Sequence, residues 1–285
     1  MKSRLFAGLA GSAAAFAAAF LASPAAAQEA APKEFTVAGN VALVTDYRFR
    51  GVSQTDKELA VQGGVSVTHS SGVYVGTWAS NLSGWGTFGG SNTELDLYGG
   101  IAKEIASGVK LDVGLTWYMY PGGASNTDFA EPYVKLSGSL GPANLLAGVA
   151  YAPKQQALGR WYFNADSYAT GIPDRFNAKS DNLYIWGDAN TAIPGTPLTI
   201  KGHLGYSDGN SGLGPNGTSV APTGSYLDWM LGADAALGPV TVGVAYIDTD
   251  ISNAESAYLK PNFSSTKNGS SIAGSTVVFS LSAAF

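Results

Sequence analysis

The sequence predicts an all-β protein, a transmembrane antiparallel up-and-down β-barrel of about 12 strands. Three observations carry this prediction. The chain begins with a segment typical of exported proteins, its later segments alternate between apolar and polar residues, and the connections between them alternate between short and long. A tilted strand needs about 9–11 residues to cross a bilayer, and its residues face lipid and barrel interior in turn.

The first 27 residues have the pattern of a secretory signal peptide. The basic residues Lys2 and Arg4 precede an apolar run, and the small residues that end at Ala27 offer a cleavage site. We therefore expect a signal peptide over 1–27 and an outer-membrane barrel over 28–285. A membrane anchor at the N-terminus is the alternative, but the apolar run is short and a cleavage site follows it.

The composition argues against several other classes of protein. Cleavage would remove two of the 16 Lys and Arg and none of the 21 Asp and Glu, which changes the formal charge from −5 to −7. No basic excess is then available for nucleic acid. The chain has no cysteine, so it can form neither a disulfide nor a thiolate metal site. The mature sequence has no run of about 18 apolar residues, which a membrane-spanning helix would need.

Alternation with a period of two runs through nearly the whole mature sequence. In the last segment, Val277, Phe279 and Leu281 fall on one face together with Phe285. Many of the segments are about ten to thirteen residues long, whereas strands of globular proteins usually have about 5–6. Proline cannot donate to a strand ladder, and Pro132 interrupts the sixth segment. The predicted strands cover residues 35–48, 58–69, 73–81, 92–104, 109–120, 127–138, 143–152, 180–191, 197–207, 225–237, 240–249 and 273–285.

The connections between these segments add a second, independent signal. Short periplasmic turns that alternate with longer outer loops are typical of bacterial outer-membrane barrels. A soluble β-sandwich is the alternative fold, but it has no reason to alternate its loop lengths. An even number of strands places both chain ends on the periplasmic side. The longer connections cover residues 49–57, 82–91, 121–126, 153–179, 208–224 and 250–272.

Aromatic residues predict two girdles at the membrane interfaces, where amphipathic rings gather. Phe35 and Phe285 lie on apolar faces at the periplasmic end. The predicted outer girdle consists of apolar-face residues where strands reach the long loops, namely Tyr47, Trp117, Tyr151, Tyr206 and Tyr246.

The polar faces of the predicted strands carry almost all of their charged residues. We predict that these side chains line the interior, because a charge on the lipid face costs on the order of a few kcal/mol near the midplane. The predicted pore-lining residues are Asp46, Arg48, Glu94, Asp96, Lys110, Asp112, Glu131, Lys135, Asp188, Lys201, His203, Asp228 and Asp234.

The number of strands does not decide whether the interior of the barrel is open or filled. Side chains fill barrels of about eight strands, and barrels of 16–18 leave an open channel. We expect a narrow water-filled pore, and the alternative is a lumen closed by its own ion pairs. Eight acids and four bases among the charged lining residues predict a mild cation preference. The longest loop, 153–179, either folds inward as the constriction or caps the barrel.

No catalytic, cofactor-binding or metal site is predicted. The two histidines are His69, which ends a strand beside two serines, and His203 on a polar face. A serine hydrolase in the barrel wall would need a serine, a histidine and an orienting polar group within reach of one another. His69 is better interpreted as an ordinary interfacial residue. A metal site built on both histidines would require distant strands to converge.

Residues 45–54, Thr-Asp-Tyr-Arg-Phe-Arg-Gly-Val-Ser-Gln, resemble the signature of the TorF family, whose members are described as outer-membrane porins. The overall pattern and length also fit, as far as the C-terminal Phe285. Asp46 and Arg48 lie one pleat apart, and each is expected to pair with the other or with a residue of a neighbouring strand. C-terminal strands of bacterial barrels are similar to this one, which implies that the barrel-assembly machinery recognises Phe285.

The expected function is that of a porin in the cell outer membrane of a Gram-negative bacterium. It would give passive diffusion of small hydrophilic solutes or ions without being an enzyme, and outer-membrane lipid would surround it. The first alternative is a closed structural or adhesive barrel that acts through its loops. A barrel-embedded lipid hydrolase is the second alternative, and the oligomeric state stays open.

Overall fold

A computed structural model describes residues 34–285, in which twelve antiparallel strands form a closed barrel. The predicted signal peptide lies outside the described residues. The barrel strands are β1 (Phe35–Val44), β4 (Ala60–His69), β5 (Val73–Asn81), β6 (Thr93–Ala106), β7 (Val109–Met119), β8 (Phe129–Leu140), β9 (Ala143–Gln155), β10 (Ser180–Ala192), β11 (Leu198–Asp208), β12 (Ser225–Leu237), β13 (Val240–Thr249) and β14 (Thr276–Ala284).

Short elements lie in the long connections. A small hairpin of β2 (Arg48–Phe49) and β3 (Val52–Ser53) follows β1. A single helix, α1 (Ala165–Ala169), follows β9, and two 3₁₀ turns cover Gly84–Thr87 and Ala257–Leu259. We number the long connections as loop 1 (45–59), loop 2 (82–92), loop 3 (120–128), loop 4 (156–179), loop 5 (209–224) and loop 6 (250–275). They share one end of the barrel, the loop end, and the short turns share the other, the turn end.

The barrel is closed by pairing between its first and last strands. Val44 of β1 stands opposite Ser280 of β14, and Asn40 stands opposite Ala284. The terminal residue extends this ladder, because Phe285 exchanges two backbone hydrogen bonds with Gly39, at N–O distances of 2.8 and 3.0 Å. A fully closed ladder leaves no unpaired strand edge, which a lipid environment would penalise.

Alternation along each strand separates an apolar exterior from a polar and aromatic interior. Outward residues such as Leu231 and Phe279 are 65% and 57% exposed, whereas inward residues such as Asp96 and Tyr184 are at most 1% exposed. The predicted fold class is confirmed. Within residues 34–285, no helix has the length and hydrophobicity to cross a membrane.

Pro132 is accommodated in β8 by a side chain that takes over part of the ladder. Pairing of β8 with β9 begins at Tyr133, one residue after the proline. Before it, the amide of Gln155 accepts from Ala130 N and donates to Ala130 O, both at 2.8 Å. The side chain therefore supplies the two hydrogen bonds that a β9 backbone group would otherwise make.

The first predicted strand is too long by four residues. β1 ends at Val44, and Thr45 is still exposed and donates to Phe279 O of β14 at 3.0 Å. The chain turns into the lumen from Asp46 onward, and there Asp46 accepts from Arg48 Nε at 2.7 Å. The prediction that Tyr47 belongs to the outer girdle is therefore wrong, because its side chain is inside the barrel and 2% exposed. The other four residues of that predicted girdle are 39–48% exposed on the outer surface.

Candidate functional site in the barrel lumen

Loop 1 enters the lumen as a compact, internally bonded hairpin. Asp46 is its organising residue, because its carboxylate also accepts from Ser53 Oγ at 2.6 Å. The backbone reverses at Arg50 and Gly51, whose φ angles are +48° and +78°. Glycine adopts this left-handed conformation freely, but for Arg50 it is strained, on the order of 1–3 kcal/mol. Contacts of Arg50 with the barrel wall must offset that strain.

Arg50 crosses the lumen and pairs with Glu131 of β8. Its Nη2 lies 2.7 Å from both carboxylate oxygens, and the two side chains are 1% and 3% exposed. Its guanidinium carbon also lies 4.1 Å from the ring centre of Tyr184 in β10 and 4.7 Å from that of Phe49. Burial alone lowers the pKa of Arg50, but the charge of Glu131, the nearby Tyr118 and Tyr184, and the hydrogen bond to Glu131 together raise the pKa above the ordinary value.

Aromatic rings fill the space around this pair at the loop end. Phe49 contacts Tyr118 edge-on at 5.8 Å between ring centres, and Tyr118 stacks on Phe129 at 4.6 Å. Phe88 of loop 2 stacks on Tyr120 at 4.8 Å. We call Phe49 and Arg50 together the plug, because they occupy the middle of the lumen among residues of several strands.

A second polar cluster lies on β5, β7 and β8. Tyr74 donates to Asp112 at 2.5 Å and is 2.5 Å from the hydroxyl of Tyr133. Lys135 lies 3.3 Å from the same aspartate. Tyr133 can lie flat against β7 because Gly114 has no side chain, and a Cβ there would be 2.5 Å from the tyrosine oxygen. This wall is bulky, and hydrogen bonds join its side chains across three strands.

A third cluster surrounds His203 of β11. Its Nδ1 lies 2.7 Å from Asp188 and its Nε2 lies 3.1 Å from Asp228. The hydroxyl of Tyr184 is 2.8 Å from the same Nε2, so the cluster reaches the residue on which Arg50 stacks. Nearby, Lys201 Nζ is 2.7 Å from Asp234. Charged groups on β10, β11 and β12 therefore pair across neighbouring strands, and the three carboxylates outnumber the two bases.

A cavity of about 70 Å³ lies between loop 1 and a mostly apolar wall of β12, β13 and β14. Arg48 and Arg50 of loop 1 border it together with Lys201 and His203. Toward the turn end the inward residues become small or polar and only half-buried, as at Ser66 and Ser280. The interior thus opens toward the turns and is obstructed near the loops.

The outer loops pack against one another above the plug. Trp161 and Tyr162 of loop 4 both donate backbone hydrogen bonds to Leu213 O of loop 5 at 3.0 Å. Trp85 of loop 2 contacts Phe263 of loop 6 at 4.8 Å between ring centres. We call these packed loops the cap. Loop 4 belongs to the cap, and loop 1 rather than loop 4 obstructs the lumen.

A hydrogen bond within loop 4 shapes its hairpin. Phe163 N donates to the carboxylate of Asp174 at 2.7 Å, which lowers the pKa of that aspartate below its ordinary value. The guanidinium of Arg175 lies over the Phe163 ring at 5.2 Å. The base of the loop is therefore held by contacts of its own residues.

Residues 26–285 match a family described as "Bacterial protein of unknown function (Gcw_chp)". The chain belongs to the Gcw_chp family. No curated protein matches the sequence of this Gcw_chp chain.

Among solved structures, the Gcw_chp chain is similar to the NanC porin, with a TM-score of 0.53 and 11% identity over 87% of this chain and 98% of that chain. A porin refined at 1.8 Å resolution gives a TM-score of 0.41 at 10% identity, over 88% of this chain and 100% of that one. An anion-selective porin from Comamonas acidovorans gives 0.39 at 12% identity, over 88% and 99%. The first similarity shows a shared barrel fold.

All thirteen predicted lining residues have side chains on the interior side of the Gcw_chp barrel or within its lumen. Asp46 and Arg48 come from loop 1 rather than from a strand, and they pair at 2.7 Å. Lys110 is half-buried on the face of β7 that also carries Asp112. The others lie on barrel strands, namely Glu94, Asp96, Glu131, Lys135, Asp188, Lys201, His203, Asp228 and Asp234.

Sequence reasoning missed the residues that obstruct the lumen. Arg50 was not among the predicted lining residues, but it reaches the wall of β8. Tyr74, Tyr133 and Tyr184 were not singled out, although each falls on the polar face of its strand in the printed sequence. Large aromatics on the polar face of a strand were the available signal of a filled interior.

His69 stands beside Ser71 at the turn end, with 2.8 Å between Nδ1 and Oγ. Its Nε2 is 3.6 Å from a carboxylate oxygen of Glu34. The same Nδ1 accepts from Ser71 N at 3.1 Å, which is the geometry of a local turn. Within residues 34–285, no group of three or more His, Asp or Glu is arranged to hold a metal ion.

Proposed function

We propose that this chain is an outer-membrane porin for the passive diffusion of small hydrophilic solutes or ions, and that loop 1 closes its route in the described conformation. The observation that carries the proposal is a charged interior within an apolar exterior, obstructed near the loop end where the plug packs among aromatic side chains of the strands. A loop can move without breaking the ladder of the barrel.

The location in the outer membrane is supported by the exterior of the strands. Apolar side chains cover it, and Trp117, Tyr151 and Tyr206 lie on it near the loop end. Such a surface suits lipid and is unusual in a soluble monomer, whose exposed apolar patches rarely exceed a few hundred Å². The predicted signal peptide and the resemblance of residues 45–54 to the TorF family of porins add support.

Planar-bilayer conductance of the refolded mature protein tests the proposal. We expect the wild type to be mostly closed with rare openings, and Arg50→Ser to conduct steadily, because it removes both the pair with Glu131 and the stack on Tyr184. Arg175→Ser in loop 4 is the matched control, since it loses the same charge from an exposed side chain and should behave as wild type. Heat-modifiable electrophoretic mobility establishes that every variant is folded.

A folded Arg50→Ser barrel that stays electrically silent would rule out the proposed route. A wild type that already conducts as well as the variant would rule out closure by the plug. A salt gradient in the same experiment reads selectivity, for which the excess of acids over bases predicts a mild preference for cations.

The second candidate is a closed barrel that acts through its loops. It is favoured by the cap, in which residues of five loops, including Val52, Trp85 and Leu213, form one buried apolar cluster. Such a cap presents a defined outer surface whether or not the lumen opens. Silence of every plug variant in bilayers would support this candidate.

A lipid hydrolase remains the third candidate, and it depends on Ser71, His69 and Glu34. Release of fatty acid from phospholipid by the wild type, lost in Ser71→Ala, would support it. We expect no such release, because the contacts of His69 and Ser71 are those of a turn.

A further inference from the structure

A stretch of loop 6, residues 266–274, bonds to loop 1, and we call it the strap. Its hydrogen bonds are spread along loop 1, namely Arg48 Nη1 to Gly274 O at 3.0 Å, Ser53 N to Ile272 O at 2.9 Å and Lys57 Nζ to Ser270 Oγ at 2.8 Å. Glu58 also forms an exposed ion pair with Lys267. Loop 1 is therefore held by loop 6 as well as by the barrel wall.

Asp56 makes the most enclosed contact with the strap, and it is 3% exposed. Its two carboxylate oxygens accept from Thr266 N at 3.1 and 3.2 Å, and one of them also accepts from Thr266 Oγ1. Loop 2 lies close by, since a Cβ on Gly84 would be 3.1 Å from that of Asp56. A buried carboxylate needs donors in place of water, and Thr266 supplies them.

The backbone of loop 1 is strained where these contacts meet it. Asp56 and Lys57 have φ angles of +53° and +64°, and Arg50 has +48°. Residues other than glycine keep such angles only where surrounding contacts impose them. Asp56 and Lys57 are held by the strap and Arg50 by the barrel wall. Loop 1 would therefore tend to relax out of this conformation if either set of contacts broke.

We propose that the strap is a second lock on loop 1, with Asp56 as its positioning residue. The strap and the wall contacts of Arg50 stabilise the same closed position, so loss of either raises the fraction of time that loop 1 spends outside it. The inference rests on the proposed function, in which departure of loop 1 opens the route. It adds control of the plug from loop 6, at the outer surface.

Hydrogen–deuterium exchange of the mature protein in detergent micelles, read by mass spectrometry, tests the strap. Loop 1 has protected amides, such as Ser53 N, and exchange becomes faster when a segment opens locally. Thr266→Val leaves loop 1 itself unchanged and removes the hydroxyl that donates to Asp56. We expect exchange over residues 47–58 to become about tenfold faster, since hydrogen bonds to charged groups are among the stronger ones. Exchange in the barrel strands should stay as in the wild type.

Ser256→Ala is the matched control, because it also removes a buried hydroxyl of loop 6, one that donates to Ser252 O of the same loop at 2.9 Å. It should exchange as the wild type does. Ser270→Ala breaks only the exposed bond to Lys57, so its effect should be smaller and in the same direction as that of Thr266→Val. It decides the question if Thr266→Val does not fold.

Unchanged exchange of loop 1 in Thr266→Val would overturn the proposal. Faster exchange that extends into the barrel strands would overturn it too, since the strap would then support the barrel as a whole. In planar bilayers Thr266→Val should open more often than the wild type, and openings without faster exchange of loop 1 would count against the strap. Exchange is measured without a membrane current, so faster exchange of loop 1 in a barrel that never conducts would contradict the porin proposal alone.

Discussion

Arg50 is the residue in the lumen whose structural role is clearest. It adopts a left-handed backbone conformation, which its contacts with Glu131 and Tyr184 offset. A buried ion pair adds little net stability over well-packed apolar residues, but an unpaired buried charge is costly. The pair therefore fixes where the loop lies more than how stable the barrel is.

Glu131→Gln leaves Arg50 buried without its carboxylate, and we expect the free energy of unfolding to fall by about 3–5 kcal/mol. The double variant Arg50→Met with Glu131→Leu should recover most of that loss, because it removes both charges together. Urea unfolding in detergent micelles, followed by near-ultraviolet circular dichroism, measures the difference. Equal stability of Glu131→Gln and wild type would show that the ion pair is not formed.

In a strand of this barrel, the effect of a substitution on stability depends on whether the side chain points outward to lipid or inward to the lumen. A lysine on the lipid face near the middle of a strand lowers the stability of a barrel in a bilayer by about 2–4 kcal/mol. Leu231 lies at the centre of β12 and is 65% exposed on the outer surface. Thr241 of the neighbouring β13 is half-buried near the turn end and lies on the inward face.

We expect Leu231→Lys to reduce stability in phospholipid vesicles by about 2–4 kcal/mol. Thr241→Lys should change it much less, since its ammonium group would stay in the polar lumen. Leu231→Ala separates the loss of apolar area from the cost of the charge. Equal costs for the two lysine variants would contradict the assignment of the faces and the membrane location.

The whole molecule divides into a barrel, a plug and a cap. Loop 4 belongs to the cap, and its two ends are close, since Arg160 N donates to Ser180 Oγ at 3.3 Å. The barrel ladder does not include this loop, and the plug is held by residues of β8 and β10. Obstruction of the lumen should therefore not depend on loop 4.

Replacement of residues 160–177 by a Gly-Gly linker should leave a folded barrel that is as electrically closed as the wild type. The reason is that the loop contributes to the cap and not to the plug. Heat-modifiable mobility and bilayer conductance measure the two parts of this prediction. Steady conductance of the shortened protein would assign the constriction to loop 4 instead.

Most of the barrel could be predicted from the sequence because its signals are local. Alternation places Leu231 outward and Asp228 inward whatever the neighbouring strands do, and strand length and loop spacing follow from the order of the residues. The interior position of the charged residues follows from the same alternation. The pairing of Asp46 with Arg48 was one of two expected pairings, and it was predictable because only two positions of sequence separate the two residues.

The plug and the cavity were decided only by the tertiary structure. Arg50 meets Glu131 across 81 positions of sequence, and no local pattern specifies that contact. The inward turn after Thr45 depends on hydrogen bonds of Asp46 and on the space beside the wall of β12, β13 and β14. Sequence alternation determines which face a residue occupies, but the filling of the lumen depends on which distant side chains meet there when the barrel closes.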